Sequence, residues 1–392
     1  DANRGIFQTR DGGKTWVSLS TSGMVNCGDS SGCNTTQGTY NLALAAVPNN
    51  TSSDLYVGAV NIFRCNIPGS GSTCSFANTT HVYGCNNALV HPDQHSFDYS
   101  LTHPEIMYFA NDGGIYRSLS STTPKTVSCS SSSTTTIDFQ NLNGAMGSMT
   151  QFVWFSQHPT LQTTLLGGTQ DNGSPMIDPS YSGTNGVQWR SVMSGDGGFN
   201  DINPMYPNER YASYPISPSR VFVGQCTQGD SCTDSLFKQI VKSSTLGSDS
   251  ASFYMPYMLD PQDSTKLLAG TCRVWRATNF GTTSTTALAL SQNFDNTTGA
   301  CSSGSTSFVT AIAAGGAVLS SGSQVIYAGT DSGKVFFTNQ AGNATPTAPV
   351  TWTQISNNGA FSNPSTCDRS GSPSPCPISG IAIDPNDPTG QT

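Results

Sequence analysis

The sequence predicts an all-β protein assembled from repeated four-stranded units. Three observations carry this reading. One pattern of apolar runs and turns recurs along the chain, no apolar pattern of helical period reaches a useful length, and twelve cysteines fall mostly in close pairs.

The repeat opens with an apolar run that ends in a proline-containing turn, and a second apolar run answers it. The first copy is Asn41-Leu-Ala-Leu-Ala-Ala-Val-Pro48 followed by Asp54-Leu-Tyr-Val-Gly58. It recurs as Ser96-Phe-Asp-Tyr-Ser-Leu-Thr-His-Pro104 with Ile106-Met-Tyr-Phe-Ala110, and as Phe152-Val-Trp-Phe-Ser-Gln-His-Pro159 with Thr164-Leu-Leu-Gly-Gly168. Weaker copies end at Pro204 and Pro261, Thr310-Ala-Ile-Ala-Ala314 with Val325-Ile-Tyr-Ala-Gly329 lacks the proline, and the last copy is Gly380-Ile-Ala-Ile-Asp-Pro385. A third run follows each pair: Asn61-Ile-Phe-Arg64, Gly114-Ile-Tyr-Arg117, Arg220-Val-Phe-Val223, Arg273-Val-Trp-Arg276 and Lys334-Val-Phe-Phe337. A fourth often carries tryptophan, as in Val187-Gln-Trp-Arg190 and Val350-Thr-Trp-Thr-Gln-Ile355.

Four short strands over roughly 45–60 residues make a propeller blade. First strands fall near residues 41, 96, 152, 198, 254, 310 and 379. They are the most apolar, as expected of strands that line the centre and are buried on both faces. Residues 1–20 supply a third and a fourth strand, and the C-terminal copy supplies a first. The expectation is therefore one seven-bladed β-propeller over residues 1–392, its ring closed by the two terminal segments. On this reading the chain opens inside a repeat, as a trimmed or mature protein does, and continues naturally past Thr392.

Composition narrows the function. Only 10% of the residues are charged and the formal net charge is -8, with 16 Lys and Arg that form no cluster, so a phosphate-tracking surface has no basis and nucleic acid is set aside. No apolar run reaches the ~18 residues of a membrane span. The cysteines fall mainly in close pairs, Cys27/Cys33, Cys65/Cys74, Cys226/Cys232, Cys272/Cys301 and Cys367/Cys376, and Cys85 and Cys129 remain as a sixth pair; the expectation is that these pair with each other, although spacing alone does not fix connectivity. An even count without zinc-ligand spacing reads as disulfides, hence an oxidising compartment: secreted, extracellular or at the cell surface. Six Asn-x-Ser/Thr sequons, at Asn34, Asn50, Asn78, Asn172, Asn296 and Asn343, fit a glycosylated exterior. The Ser/Thr-rich stretch 118–136 reads as an exposed insertion.

Thr9-Arg-Asp-Gly-Gly-Lys-Thr-Trp16 matches the Asp-box pattern Ser/Thr-x-Asp-x-Gly-x-Thr-Trp. Its chemistry is structural: Asp11 caps a hairpin turn next to Thr9 and Thr15, Gly13 accepts an unusual dihedral, and Trp16 packs beneath. With this box, His91-Pro-Asp-Gln-His95, Ala110-Asn-Asp-Gly-Gly-Ile-Tyr-Arg117, Gly168-Thr-Gln-Asp-Asn-Gly173 and Gly195-Asp-Gly-Gly198, most of residues 4–385 resembles secreted bacterial propellers with BNR or Asp-box, sortilin-like and sialidase-like repeats. The resemblance implies fold and export. It implies little about activity, because xyloglucanases, sialidases and a photosystem II assembly propeller share the repeat and differ in function.

In a blade, the loops between strands two and three share a face with the loops entering the next first strand. Asn111, Asp112, Gln170, Asp171 and Asn172 fall in the former, and His91, Asp93, His95 and Asp196 in the latter. They are expected to share one face as a polar binding cluster. Asp93, Asp112, Asp171 and Asp196 offer hard oxygen ligands suited to Ca²⁺. The competing reading is that Asp-Gly and Asp-Asn-Gly are simply turn formers.

Enzymatic chemistry finds thin support. The chain has two glutamates, Glu105 and Glu209, both at the start of a second strand, on the face away from the cluster. Arg64, Arg117 and Arg276 recur at equivalent third-strand positions, which points to blade packing rather than to a carboxylate clamp. That disfavours sialidase chemistry. The leading expectation is an extracellular binding or scaffolding module that contacts glycan or protein at the cell surface, with self-association into filaments as a structural variant. The alternative is a glycoside hydrolase using a pair of aspartates.

Overall fold

The computed structural model describes residues 5–29, 33, 37, 40–69, 73–85, 88–129, 132–146, 150–177, 182–183, 186–187, 189–216, 218–280, 285–302, 304–305, 307–355, 376–384 and 389–390. The chain forms two compact units, Asp1–Met149 and Thr150–Thr392.

In the first unit, β1 (Ile6–Gln8) and β2 (Val17–Leu19) make an antiparallel hairpin, followed by one turn of helix, α1 (Ser22–Val25). A four-stranded antiparallel sheet follows: β3 (Ala43–Asn49), β4 (Ser52–Gly58), β5 (Ile62–Pro68) and β6 (Ala77–Asn78). The next takes β7 (Gln94–Tyr99), β8 (Met107–Asn111) and β9 (Gly114–Ser118). A separate hairpin, β10 (Lys125–Cys129) and β11 (Ser132–Thr136), intervenes before β12 (Gln140–Asn141) completes that sheet, and a short α2 (Asn143–Met146) follows. Val47, Tyr56 and Ile62 of one sheet pack with Met107, Phe109 and Tyr116 of the other, all buried. Phe109 sits at the centre, edge-on to Tyr56, Phe97 and Phe139. Burying a side chain of that size contributes about 2–3 kcal/mol.

Among the described residues the second unit holds four such sheets. The first has β13 (Phe152–Gln157), β14 (Leu165–Thr169) and β15 (Ser174–Ile177), then the small hairpin β16 (Ser182–Gly183) and β17 (Gly186–Val187), then β18 (Arg190–Met193) as its fourth strand. The second is β19 (Asn200–Ile202), β20 (Arg210–Ala212), β21 (Phe222–Cys226) and β22 (Lys238–Lys242). The third is β23 (Tyr257–Asp260), β24 (Asp263–Gly270), β25 (Val274–Thr278) and β26 (Thr286–Ala289). The fourth is β27 (Val309–Leu319), β28 (Gly322–Thr330), β29 (Val335–Thr338) and β30 (Thr353–Gln354). Successive side chains on a strand point to opposite faces, so Leu267 and Leu268 of β24 enter two different cores. Leu267 packs with Tyr211, Val223 and Val241, while Leu268 packs with Val309, Ile326 and Ala328. A sheet buried on both faces explains why β24 and β28 read as apolar runs rather than as alternations.

The third-strand arginines pack within their own sheet or, for Arg276, against the next one. Arg64 meets buried Asp54 at 2.5 Å, and Arg276 reaches Ser323 O at 2.5 Å with Asp260 at 3.6 Å. Arg117 instead donates to Gln140 Oε1. Glu105 lies against exposed His103, and Glu209 accepts from Asn203 and Tyr211. Five of the expected disulfides are present: Cys27–Cys33, Cys65–Cys74, Cys85–Cys129, Cys226–Cys232 and Cys272–Cys301. Of the sixth expected pair, Cys376 is itself disulfide-bonded, while Cys367, its expected partner, lies outside the described residues. No helix among the described residues is long and apolar enough to cross a membrane.

Several expectations are corrected. Segment 376–384 is not a strand; Ile378 N donates to Thr330 O at 3.0 Å and Thr310 Oγ1 donates to Ile378 O at 2.7 Å, while Pro385 lies outside the described residues. Cys376 therefore stands at the start of an irregular segment, not at the entrance to a first strand. Pro48 is inside β3 opposite Ser53, and the turn is made at Asn50, whose φ of 53° suits asparagine. The stretch 118–136 is not merely an exposed insertion: it forms β10 and β11, and Cys129 and Thr136 are buried. Val187 belongs to the small hairpin, so the fourth strand starts at Arg190. Asn78 is buried and accepts from Thr80 N and His81 N, which leaves that sequon without an accessible amide; Asn34 lies outside the described residues. Trp16 is 60% exposed rather than packed beneath the turn, because among the described residues β1 and β2 pair with no third strand that could cover it.

Candidate functional site

The β1–β2 turn is held by its own polar side chains. Asp11 accepts from Thr15 N at 2.9 Å and Thr15 Oγ1 at 2.7 Å, Thr9 Oγ1 accepts from Gly13 N, and Trp16 Nε1 donates to Gly13 O. The Thr15 hydroxyl, and then the Thr15 amide, hold the Asp11 carboxyl below its ordinary range. Gly13 has φ 92°, a conformation open to glycine. This turn is a structural unit.

Of the nine cluster residues, His91, Asp93, His95, Asn111 and Asp112 lie on the first unit and Gln170, Asp171, Asn172 and Asp196 on the second. On the first unit they meet around the entrance to β7. Gln94 is fully buried; its amide donates to His91 O at 2.7 Å and its carbonyl accepts from Asn111 Nδ2 at 3.3 Å. Asp93 N and Gln94 N donate to Val60 O and Ala59 O, stitching this segment to the preceding sheet. Asp93 adopts φ 63°. Asn143 closes the β8–β9 loop by donating to Gly113 O and accepting from Ile115 N.

The side chains then interlock. His95 Nε2 lies 2.5 Å from Asp112 Oδ1, and His95 Nδ1 lies 3.2 Å from Tyr40 O. Both partners are acceptors, so the two bonds form together only with the imidazolium. Tyr40 OH donates to Asp112 Oδ2 at 2.9 Å, and its ring meets His95 edge-on with centroids 5.0 Å apart. Tyr40 is 52% exposed and the His95 side chain 34%, so this knot faces solvent while Asp112 is nearly covered. Asn41 donates to Asp93 Oδ1. Burial pushes the Asp93 carboxyl up; the Asn41 bond opposes this, and the Asp112 charge adds to it.

On the second unit the same residue types serve the backbone. Asp196 Oδ1 accepts from Asp171 N at 2.9 Å, and Asp171 takes φ 62°. Gly173 N donates to Gly195 O and Gly197 N to Thr169 O, so two chain segments touch directly. A Cβ on Gly168 would stand 1.9 Å from Gly198 O, which requires glycine there. Gln170 Oε1 accepts from Tyr254 OH, and Asn172 Nδ2 donates to Gln170 O.

Among the described residues, the three His, Cys, Asp or Glu ligand atoms that converge within 4.8 Å belong to Asp249, Cys272 and Cys301, and none to the four aspartates expected to hold Ca²⁺. Two of those three are disulfide sulfurs, and Asp249 is bound by Arg273, Thr271 and Trp275. Sequence reading missed Tyr40, Asn41, Asn143 and Tyr254, whose partners lie 72, 52, 30 and 84 residues away. No local signal marks them.

The four-stranded antiparallel sheets, each paired in chain order, define β-propeller blades. No protein-family model matches the chain, and no curated protein matches it. Among solved structures it is similar to YCF48 from Cyanidioschyzon merolae, with 9% identity over 80% of this chain and 84% of that one, at a TM-score of 0.33. It is also similar to the β-propeller domain of Cps50 (Swd1) from Myceliophteria thermophila, at 7% identity over 80% and 87% of the two chains and a TM-score of 0.37. A GH74 enzyme from Niastella koreensis aligns at 12% identity over 97% of this chain and 56% of its own, with a TM-score of 0.30.

Proposed function

We propose that the chain is an extracellular, non-enzymatic binding or scaffolding propeller of seven blades. It carries BNR or Asp-box, sortilin-like repeats, and it takes a glycan or a protein at the loop around His95 and Asp112. The supporting observation is the solvent-facing knot of Tyr40, His95 and Asp112, in which both carboxylate oxygens and both ring nitrogens are already oriented. Oriented polar groups beside an exposed aromatic ring lose little freedom on binding, which favours recognition. Five disulfides fit an oxidising exterior.

A thermal-shift screen of Ca²⁺ and soluble glycans on wild type, Asp112→Asn and Asp171→Asn tests this. A ligand that raises Tm in wild type and Asp171→Asn but not in Asp112→Asn supports the reading. A shift retained in Asp112→Asn removes this site. Scaffolding by self-association is tested by sedimentation, where a monomer at every concentration rules it out.

One observation favours the hydrolase alternative: burial lifts the Asp93 carboxyl while the Asp112 charge adds to the effect. A carboxyl raised by burial is one ingredient of a glycosidase's general acid. Release of reducing sugar from a polysaccharide, lost in Asp93→Asn, would establish it. Absence of release across a panel of plant and microbial glycans would retire it.

A further inference from the structure

A second polar pocket lies wholly within the second unit, at the opposite end of β19 from Asp196. It occupies the groove between the β19–β22 and β23–β26 sheets, with a volume of about 300 Å³, at the small end of the range for ligand pockets. Asn203, Tyr206, Glu209, Gln225, Lys266 and Phe280 are among the residues that line it.

Its rim is rigid for identifiable reasons. Tyr206 and Glu209 are the ends of one four-residue turn, closed by Glu209 N donating to Tyr206 O at 2.8 Å, with Pro207 preset for the second position. Asn208 O accepts from Gly229 N, inside the loop closed by Cys226–Cys232, and Arg210 pairs with Asp230 of that loop at 2.9 Å. The turn is thus tied to a disulfide loop on one side and to the sheet on the other.

The carboxylate is aimed as well as held. Glu209 Oε2 accepts from Asn203 Nδ2 at 2.8 Å and from Tyr211 OH at 2.7 Å, and both donors come from buried residues. Gln225 Nε2 in turn donates to Tyr211 OH, fixing that hydroxyl as a donor to Glu209. Burial, followed by the hydrogen bond to Glu209, pushes the Tyr211 phenol far up, so it keeps its proton. Tyr206 is 56% exposed, and Phe280 packs edge-on against Tyr211. The Lys266 ammonium is paired with Asp263, so it adds no free cationic field.

We infer that this pocket is a sugar-binding subsite for a single neutral pyranose. An oriented carboxylate and planar amides match pairs of vicinal hydroxyls, and an exposed Tyr206 ring offers the apolar face on which a pyranose stacks. A cation such as a lysine side chain would also meet Glu209, but it would use neither the amides nor the donors around them. The inference does not depend on the His95–Asp112 reading, because the two sites share no residue.

Saturation-transfer NMR with glucose, galactose, mannose and N-acetylglucosamine at about 50 mM tests it, since a dissociation constant on the order of 1–10 mM is expected for one ring in a small pocket. Transfer to at least one sugar is expected in wild type and in Asp112→Asn. The affinity read from a titration of that sugar should fall about tenfold or more in Tyr206→Ala, whose exposed side chain can be removed without touching a core, and in Glu209→Gln. The Tyr206→Ala result stands even where Glu209→Gln alters folding. No transfer from any of the four sugars to wild type overturns the inference. So does transfer unchanged in Tyr206→Ala, or binding of lysine methyl ester without any sugar.

Discussion

Two loops between a second and a third strand use aspartate and glycine to opposite ends. Around Asn111-Asp112-Gly113 the carboxylate of Asp112 is committed to side chains, Tyr40 and His95, and the result faces solvent. Around Gln170–Gly173 the carboxylate comes from Asp196, in the loop entering the next first strand, and is committed to the Asp171 backbone amide, while glycines let the two chain segments touch. A side chain bound to other side chains can release them to a ligand by changing rotamer. A side chain bound to backbone N–H is part of the chain path and cannot be borrowed. The same turn-forming dipeptides therefore yield a candidate binding surface in one loop and a structural junction in the other.

The largest expected effect tests the junction. Gly168→Ala drives a methyl group into Gly198 O and should cost about 3 kcal/mol or more, read as a lower denaturant midpoint. Gly144→Ala, with open space around it, is the neutral control. Equal midpoints for the two variants would show that the junction gives way easily, and the contrast between the loops would weaken.

A third carboxylate sharpens the comparison by adding burial. Asp201 accepts from Leu259 N, and burial lifts its carboxyl from 3.8 to about 6. A raised acid stabilises the fold most below its unfolded value, and that contribution is lost as pH rises through about 6. Asp201→Asn should therefore be more stable than wild type above pH 6, by at most about 3 kcal/mol, and should converge with it towards pH 4. Unfolding curves across that range decide it; a constant offset at every pH would contradict it.

Smaller effects follow. Asp196→Ala leaves the Asp171 amide without its acceptor and should cost about 1–2 kcal/mol in the same assay. Tyr40→Phe removes only the hydroxyl that reaches Asp112, and should change stability by less than about 0.5 kcal/mol while weakening any ligand of that loop. If Tyr40→Phe proved the costlier of the two, the assignment of the loops would have to be exchanged.

Much of the blade pattern was legible because strand burial leaves a mark in the sequence. Leu267 and Leu268 are both apolar because each face of their sheet meets another sheet, and Ile326 is apolar because it packs against Leu268 across one of those faces. The Cys226–Cys232 and Cys27–Cys33 pairs were legible because short loops leave few alternatives. The segment near residue 379 was misread: it has the apolar spacing of a first strand, yet it meets the sheet through Thr310 and Thr330 without joining a ladder. Trp16 was misread for a related reason, since the motif specifies its turn but not whether anything lies beneath the indole.

The sequence by itself determined the all-β class, the repeat that becomes four-stranded sheets, the close spacing of the cysteines and the loops in which polar groups gather. These follow from local periodicity, turn chemistry and short-range closure, which act over a few residues. Tertiary structure alone decided which of those polar groups bind each other. Tyr40 with Asp112, Asn41 with Asp93 and Tyr254 with Gln170 are joined across 72, 52 and 84 residues. Such bonds depend on how strands from separate segments are brought side by side, and no spacing along the chain encodes that distance.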